Sequence, residues 1–126
     1  MTTVEAVHAA LEGIVDPCSA ATGVPLSILD MGLLRGVEVS GEEVLVELRL
    51  TSPLCHQAPY FIMEVEQRVG ALAGVGSVVC RTDVGVAWEP AMMRQDAVRR
   101  LAARRRELDA SSKRRLGQPP PRVRWR

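Results

Sequence analysis

The chain has 126 residues, 47% of them apolar, enough for one domain with a modest core. Its net charge of +1 hides a split: residues 1–93 carry four Arg against twelve acids (−8), while residues 94–126 carry eleven Arg and one Lys against three acids (+9). No apolar run reaches the length of a membrane span, and the N-terminus lacks a basic stretch followed by an apolar one, so a soluble, cytoplasmic protein is expected. The three cysteines (Cys18, Cys55 and Cys80) include no C-x-x-C pair and are joined by only two histidines, His8 and His56. That pattern argues against a disulfide framework and against a self-contained structural zinc site.

Thr2-x-x-Glu5 reads as a capping box, and Val4, Val7, Leu11 and Ile14 recur at helical spacing, which predicts a helix over about 3–14. Asp16-Pro17 ends it, because the residue before proline is pushed out of the α region. Residues 16–31, with Pro17, Gly23 and Pro25, read as an ordered loop pinned by Leu26, Ile28 and Leu29, with one helical turn near 25–30. Residues 33–39 form a strand, Ser40-Gly41-Glu42 a tight turn, and the alternation Val44, Val46, Leu48, Leu50 a half-buried antiparallel strand. Pro59 suits a first helical position; Ile62, Val65, Val69 and Leu72 then mark one helical face and Gly74 the stop. Residues 77–84 form a third strand. After Trp88-Glu89-Pro90 a last helix is expected over about 91–108, with Val98, Leu101, Ala102 and Leu108 in one stripe and arginines around the rest. The order is α-β-β-α-β-α. It predicts an α+β two-layer sandwich, a small, mostly antiparallel sheet with helices on one face. The domain would cover residues 1–110, and residues 111–126, with three consecutive prolines, read as a basic tail, disordered or extended.

The chemistry concentrates at Thr51-Ser52-Pro53-Leu54-Cys55-His56, where the alternating strand gives way to a helix. Unpaired N–H groups and the dipole at a helix start favour a thiolate, and an imidazolium from His56 would lower the Cys55 thiol further. The plain alternative is that Cys55 is a small buried hydrophobe filling the turn. Thr51 can hydrogen-bond within the turn. Asp16 reads first as a turn-capping carboxylate and second as a group orienting a thiol or a metal-bound group. Cys18, two residues on, would make a two-thiol site if it met Cys55. Cys80 falls on the apolar face of its strand, which implies burial. Trp88 is either a plug between helix and sheet or a wall of the site. Met92 and Met93 read as packing and His8 as exposed.

The basic C-terminal segment invites a nucleic-acid reading, but it has no helix-turn-helix pattern and only Trp125 to stack on a base, so a solvated helix face is preferred. Nucleophile-elbow, phosphate-loop and dinucleotide fingerprints are absent.

Taken in order, Asp16-Pro17, Leu29-x-Met31-Gly32-Leu33, Val44–Leu50, Thr51-x-Pro53-x-Cys55, Gly74-Val75-x-Ser77-Val78 and Trp88-x-Pro90-x-Met92 resemble the metal–sulfur (iron–sulfur) cluster assembly family. That family includes SufT-like and PaaD-like proteins and the eukaryotic cytosolic iron–sulfur assembly factors. The resemblance covers about residues 3–108. It implies an α+β domain that helps mature iron–sulfur proteins, with a reactive cysteine at the position of Cys55 and with Asp16 and Thr51 close to it. The chain departs from the family pattern in three places. Asp-Pro-Glu becomes Asp-Pro-Cys18, the loop Ser19–Val24 is longer, and the Arg-rich end lies outside the family core.

Three readings follow. In the first, the chain is a non-enzymatic assembly factor that carries or hands over iron or a transient iron–sulfur cluster. Cys55 and Cys18 are the metal and cluster ligands, and Asp16, Thr51 and His56 tune them. Two thiolates suit a soft metal, and a homodimer supplying two thiols per subunit would complete a four-ligand site. In the second, it is a metal-free adaptor for maturation of a metal-dependent oxygenase. In the third, it is a thiol enzyme using Cys55 with His56 as base. The partners implied are a client metalloenzyme or other assembly factors, with neither nucleic acid nor membrane.

Overall fold

A computed structural model of the chain describes residues 2–53 and 57–117. The first helix, α1, runs Val4–Leu11 and starts at Thr3, whose Oγ1 accepts the Ala6 N–H at 3.1 Å. The cap is therefore Thr3 and not Thr2, which is buried. The helix also stops short of the expected Ile14. Glu12 and Gly13 turn the chain, and Val15 bridges to Ser27.

The stretch expected to be loop contains a second short helix, α2, Pro17–Ala21. Asp16 caps it, its Oδ2 accepting the Ser19 N–H at 3.2 Å, and Pro17 takes the first turn, where a missing N–H costs nothing. The Ser19 hydroxyl donates to the Asp16 carbonyl (2.7 Å) and accepts from the Leu26 N–H (2.9 Å), tying the helix to the segment that follows it. The helical turn anticipated near 25–30 forms over residues 28–32.

Strands β1 (Leu34–Ser40) and β2 (Glu43–Leu48) form an antiparallel hairpin with Ser40 opposite Glu43. The connecting residues are Gly41 and Glu42. Only Gly41 has positive φ (+58°), the pattern of a II′ turn with glycine in its first central position. Helix α3 (Ala58–Gly70) then carries the chain across to β3 (Ser77–Thr82), which pairs parallel to β2. The α+β class and the element order are as the sequence indicates, and the sheet, ordered β1-β2-β3, is mixed. A strand reached through a helical crossover enters parallel, as β3 does. The third strand ends at Thr82, and Val84, expected to be within it, is 73% exposed.

Val44, Val46 and Leu48 point from the sheet into the main core, where they meet Val7 and Leu11 of α1 and Phe61, Val65 and Val69 of α3. Register places Val78, Cys80 and Thr82 on this face, beside Val44, Val46 and Leu48. A second, smaller cluster joins Val24, Leu26 and Ala97. It seats the last helix, α4, which runs Gln95–Leu116 after a 3₁₀ turn at Pro90–Met92. The helix outruns both the expected end near Leu108 and the expected start of an extended tail at 111. The apolar stripe that marked its end gives out, but Ala, Arg, Glu, Lys and Leu are strong helix formers and keep the backbone helical.

Candidate site at the β2–α3 turn

The turn is built from three directions. From the strand side, Arg49 leaves β2 with its guanidinium donating to the Leu34 carbonyl (3.0 Å) and its backbone N–H to the Leu33 carbonyl (2.6 Å). From below, the loop after β3 props it. Asp83 Oδ1 accepts both the Leu50 and the Gly85 N–H at 2.9 Å, and Gly85, with φ +82°, lies against the Ser52 and Pro53 backbone. The other oxygen, Oδ2, is sealed from solvent with no hydrogen-bond partner among the described residues. Asp83 escaped the sequence reading. Its signal is Asp83-Val84-Gly85, an Asp accepting from the N–H two residues on, as an Asx turn does.

From the third side comes α2. Gln57 is the N-cap residue of α3, yet its side chain makes no capping bond. Instead its amide Nε2 donates to Cys18 Sγ at 3.8 Å. The cap position of α3 is thereby joined to the first turn of α2, and Gln57 follows Cys55 by two residues in the sequence.

Thr51 is exposed at the start of the turn. Asp16 is buried and caps α2, so its local role is the turn-capping one, and through α2 it fixes where Cys18 stands. Cys18 is exposed. Cys55 and His56, with Leu54 before them, lie outside the described residues, and with them the roles expected of Cys55 as nucleophile and ligand and of His56 as base. Among the described residues no cluster of three or more His, Cys, Asp or Glu is placed to hold a metal ion.

Trp88 is half-buried against the main core, and its indole Nε1 donates to the Met31 carbonyl at 2.7 Å. Next to that carbonyl, Gly32 (φ +72°) is so close to Met92 that a Cβ would overlap the Met92 backbone. The segments Met31-Gly32 and Trp88-x-Pro90-x-Met92, distant in sequence, are thus two halves of one joint. One step earlier, Asp30 pairs with Arg94 and Arg100, each at 3.2 Å, and accepts the Ser27 N–H at 3.1 Å. Burial alone would raise the Asp30 carboxyl, but the Ser27 N–H and the Arg100 and Arg94 guanidinium groups outweigh it and hold it below the ordinary value of 3.8. The joint and the Asp30 clamp together bind the C-terminal part of the chain to the segment that continues from α2.

Cys80 is a different kind of thiol. Burial, with Glu66 adding repulsion, pushes it up to about 11. At about pH 8 roughly one part in a thousand of it is thiolate. Iodoacetamide at that pH should therefore label exposed Cys18 well before Cys80, as peptide mass mapping over time would show. Equal labelling of the two would mean that β3 opens readily.

No helix among the described residues is long and apolar enough to cross a membrane. A family profile described as iron–sulfur cluster assembly protein matches residues 4–79, which takes in α1 through α3 and the turn between β2 and α3. The chain is 30% identical over 79 residues, 62% of its own length and 75% of the relative's, to an Fe-S protein maturation auxiliary factor from Porphyromonas gingivalis. Two solved structures share the fold. A domain of unknown function from Bacillus anthracis has a TM-score of 0.68 at 20% identity, over 78% of this chain and 90% of that one. A conserved hypothetical protein from Thermotoga maritima has a TM-score of 0.65 at 22% identity, over 79% and 94%. With more than half of its length matched by that profile, the chain belongs to the iron–sulfur cluster assembly protein family.

Proposed function

We propose that the chain is an accessory factor in iron–sulfur protein maturation, which carries iron or a cluster as cargo and passes it to client enzymes through Cys55. Family membership supports the general role, and the P. gingivalis relative bears the name of a maturation auxiliary factor. The observation that carries the finer reading is the bond from Gln57 to Cys18. It draws a second thiol to the cap of the helix that follows Cys55, where the helix dipole favours negative sulfur. In this reading Cys55 is the transfer thiol and Cys18 a second ligand. Asp16 positions Cys18 by capping α2, and Thr51 and His56 tune the charge of the turn. Two thiolates suit iron or a cluster, which ordinarily takes four protein ligands, so two copies of the chain would hold one cluster between them.

The test is complementation. In cells that lack the chain and show reduced activity of an iron–sulfur enzyme, wild type should restore the activity, Cys55→Ala should not, and Cys18→Ala should restore it in part. Full restoration by Cys55→Ala would sink the transfer-thiol reading and leave a metal-free adaptor.

A further inference from the structure

Helix α4 lies outside the family-matched region, and only part of its surface is used by the fold. Ala97 is fully buried, and Arg94, Arg100 and Arg104 are tied to Asp30, Pro25 and Thr22 on the body. Along another side, Val98, Leu101, Arg105 and Leu108 follow at three- and four-residue steps, the spacing of one helical stripe. Val98 and Leu108 are each 48% exposed. Near its start this stripe faces the Pro90–Met93 turn across a groove lined by Pro90, Met93, Val98 and Leu101, with Arg105 at its edge. Arg99, on the neighbouring groove wall, and Arg105 are both exposed and make no ion pair among the described residues.

An apolar stripe interrupted by an unpaired arginine has a defined complement. A second copy of α4 would bring another positive helix, with seven Arg and one Lys against three acids, up to Arg99 and Arg105, and like charges repel. The chain's own residues 118–126 carry three Arg and no acid, so they are repelled as well. Nucleic acid would satisfy the arginines but leave the exposed Val98 and Leu108 unmatched, and α4 offers no aromatic ring for a base. We infer that this groove and stripe dock an acidic amphipathic helix of a partner protein, with its apolar residues on Val98, Leu101 and Leu108 and its carboxylates on Arg99 and Arg105. The mode is helix-in-groove recognition with charge selecting the partner.

The probe is a fluorescein-labelled peptide of about 15 residues, long enough for four helical turns, with Leu at three- and four-residue steps and Glu between. Its counterpart has every Glu replaced by Lys. Fluorescence anisotropy with the full chain should show binding of the Glu peptide and none of the Lys peptide. The double variant Arg99→Glu/Arg105→Glu should weaken binding at least about tenfold, on the order of two charged contacts, and Val98→Asp should do the same. Arg114→Glu, off the stripe, should leave it unchanged. Circular dichroism and the melting point of each variant establish that the fold is kept. Equal binding of both peptides, no binding of the Glu peptide, or binding indifferent to Val98→Asp would overturn the inference. So would single-stranded DNA competing away the Glu peptide in a manner independent of Val98. A dimer in sedimentation that Val98→Asp dissolves would overturn it too, because a second copy would then own the surface. None of these readouts involves Cys55 or a client's activity, so this inference and the cargo reading fail separately.

Discussion

Gly85→Ala is expected to destabilise the fold by about 2–5 kcal/mol and to displace the start of the β2–α3 turn. Two costs combine. At φ +82° an L-residue costs roughly 1–2 kcal/mol. A methyl group there would also overlap the Ser52 and Pro53 backbone, and overpacking costs about 1–3 kcal/mol more. The atoms it would meet are all main chain, so no flexible side chain can give way. Gly41→Ala is the control, since it shares the positive φ (+58°) but meets nothing within 4 Å, and should lose only about 1–2 kcal/mol. Urea unfolding followed by circular dichroism reads both. Because Gly85 also donates to Asp83, which holds Leu50, the Gly85 variant should in addition speed amide exchange at Leu50. Equal stability of the two variants would mean that the post-β3 loop does not support the turn.

The second large effect is at Asp30. Its carboxylate is mostly enclosed, with 15% of the side chain exposed, and it holds Arg94, Arg100 and the Ser27 N–H. Asp30→Asn removes the charge while keeping the shape. The expected loss near neutral pH is about 1–3 kcal/mol, on the order of one charged hydrogen bond, because Arg94 and Arg100 are themselves 48% and 40% exposed and water screens the pairs. The pH dependence has a fixed sign. The folded carboxyl is held below 3.8, so its contribution is complete above that value and is lost as pH falls through the lower, folded value. The difference in melting temperature between wild type and Asp30→Asn should therefore be full near neutrality and shrink as the pH is taken below 3.8. A difference that stayed constant into acid would assign the effect to shape and not to charge.

Much of this architecture was legible because local pattern and tertiary role agree. The alternation at Val44, Val46 and Leu48 can only be a one-sided strand, and Val65 and Val69 at helical spacing face it from α3. What was not legible depends on partners far along the chain. The short helix at Pro17–Ala21 is made possible by Asp16, whose capping role was read correctly although the helix it caps was not. Phe61, buried at 3%, is not marked by the spacing because Ile62 fits the same period, and periodicity alone does not separate neighbours at the edge of a face. The parallel pairing of β3 is decided by the crossover and not by the composition of the strand. At the site, the motif residues were visible as a list, but their pairing was not. That Gly32 meets Met92, that Trp88 reaches Met31, and that the Gln57 side chain bonds to Cys18 instead of capping α3 are all contacts between segments with no local mark of one another. The last helix runs on to Leu116 beyond its apolar stripe because helix propensity, and not apolar spacing, governs its end.

The family motifs acquire physical reasons in this arrangement. Gly32 is glycine because another backbone passes against it, and Trp88 supplies both apolar bulk and the donor for the Met31 carbonyl. Replacement of the family's Glu by Cys18 puts sulfur where Gln57 can reach it. That substitution is what separates this chain's proposed chemistry from simple family membership.

Anaerobic incubation of the purified chain with ferrous iron and sulfide, followed by desalting and assay of bound iron and acid-labile sulfide, addresses that chemistry most directly. Wild type should retain both in proportion and sediment as a dimer when loaded. Cys18→Ala should retain much less, and Cys55→Ala essentially none. Retention by Cys55→Ala equal to that of wild type would contradict the account.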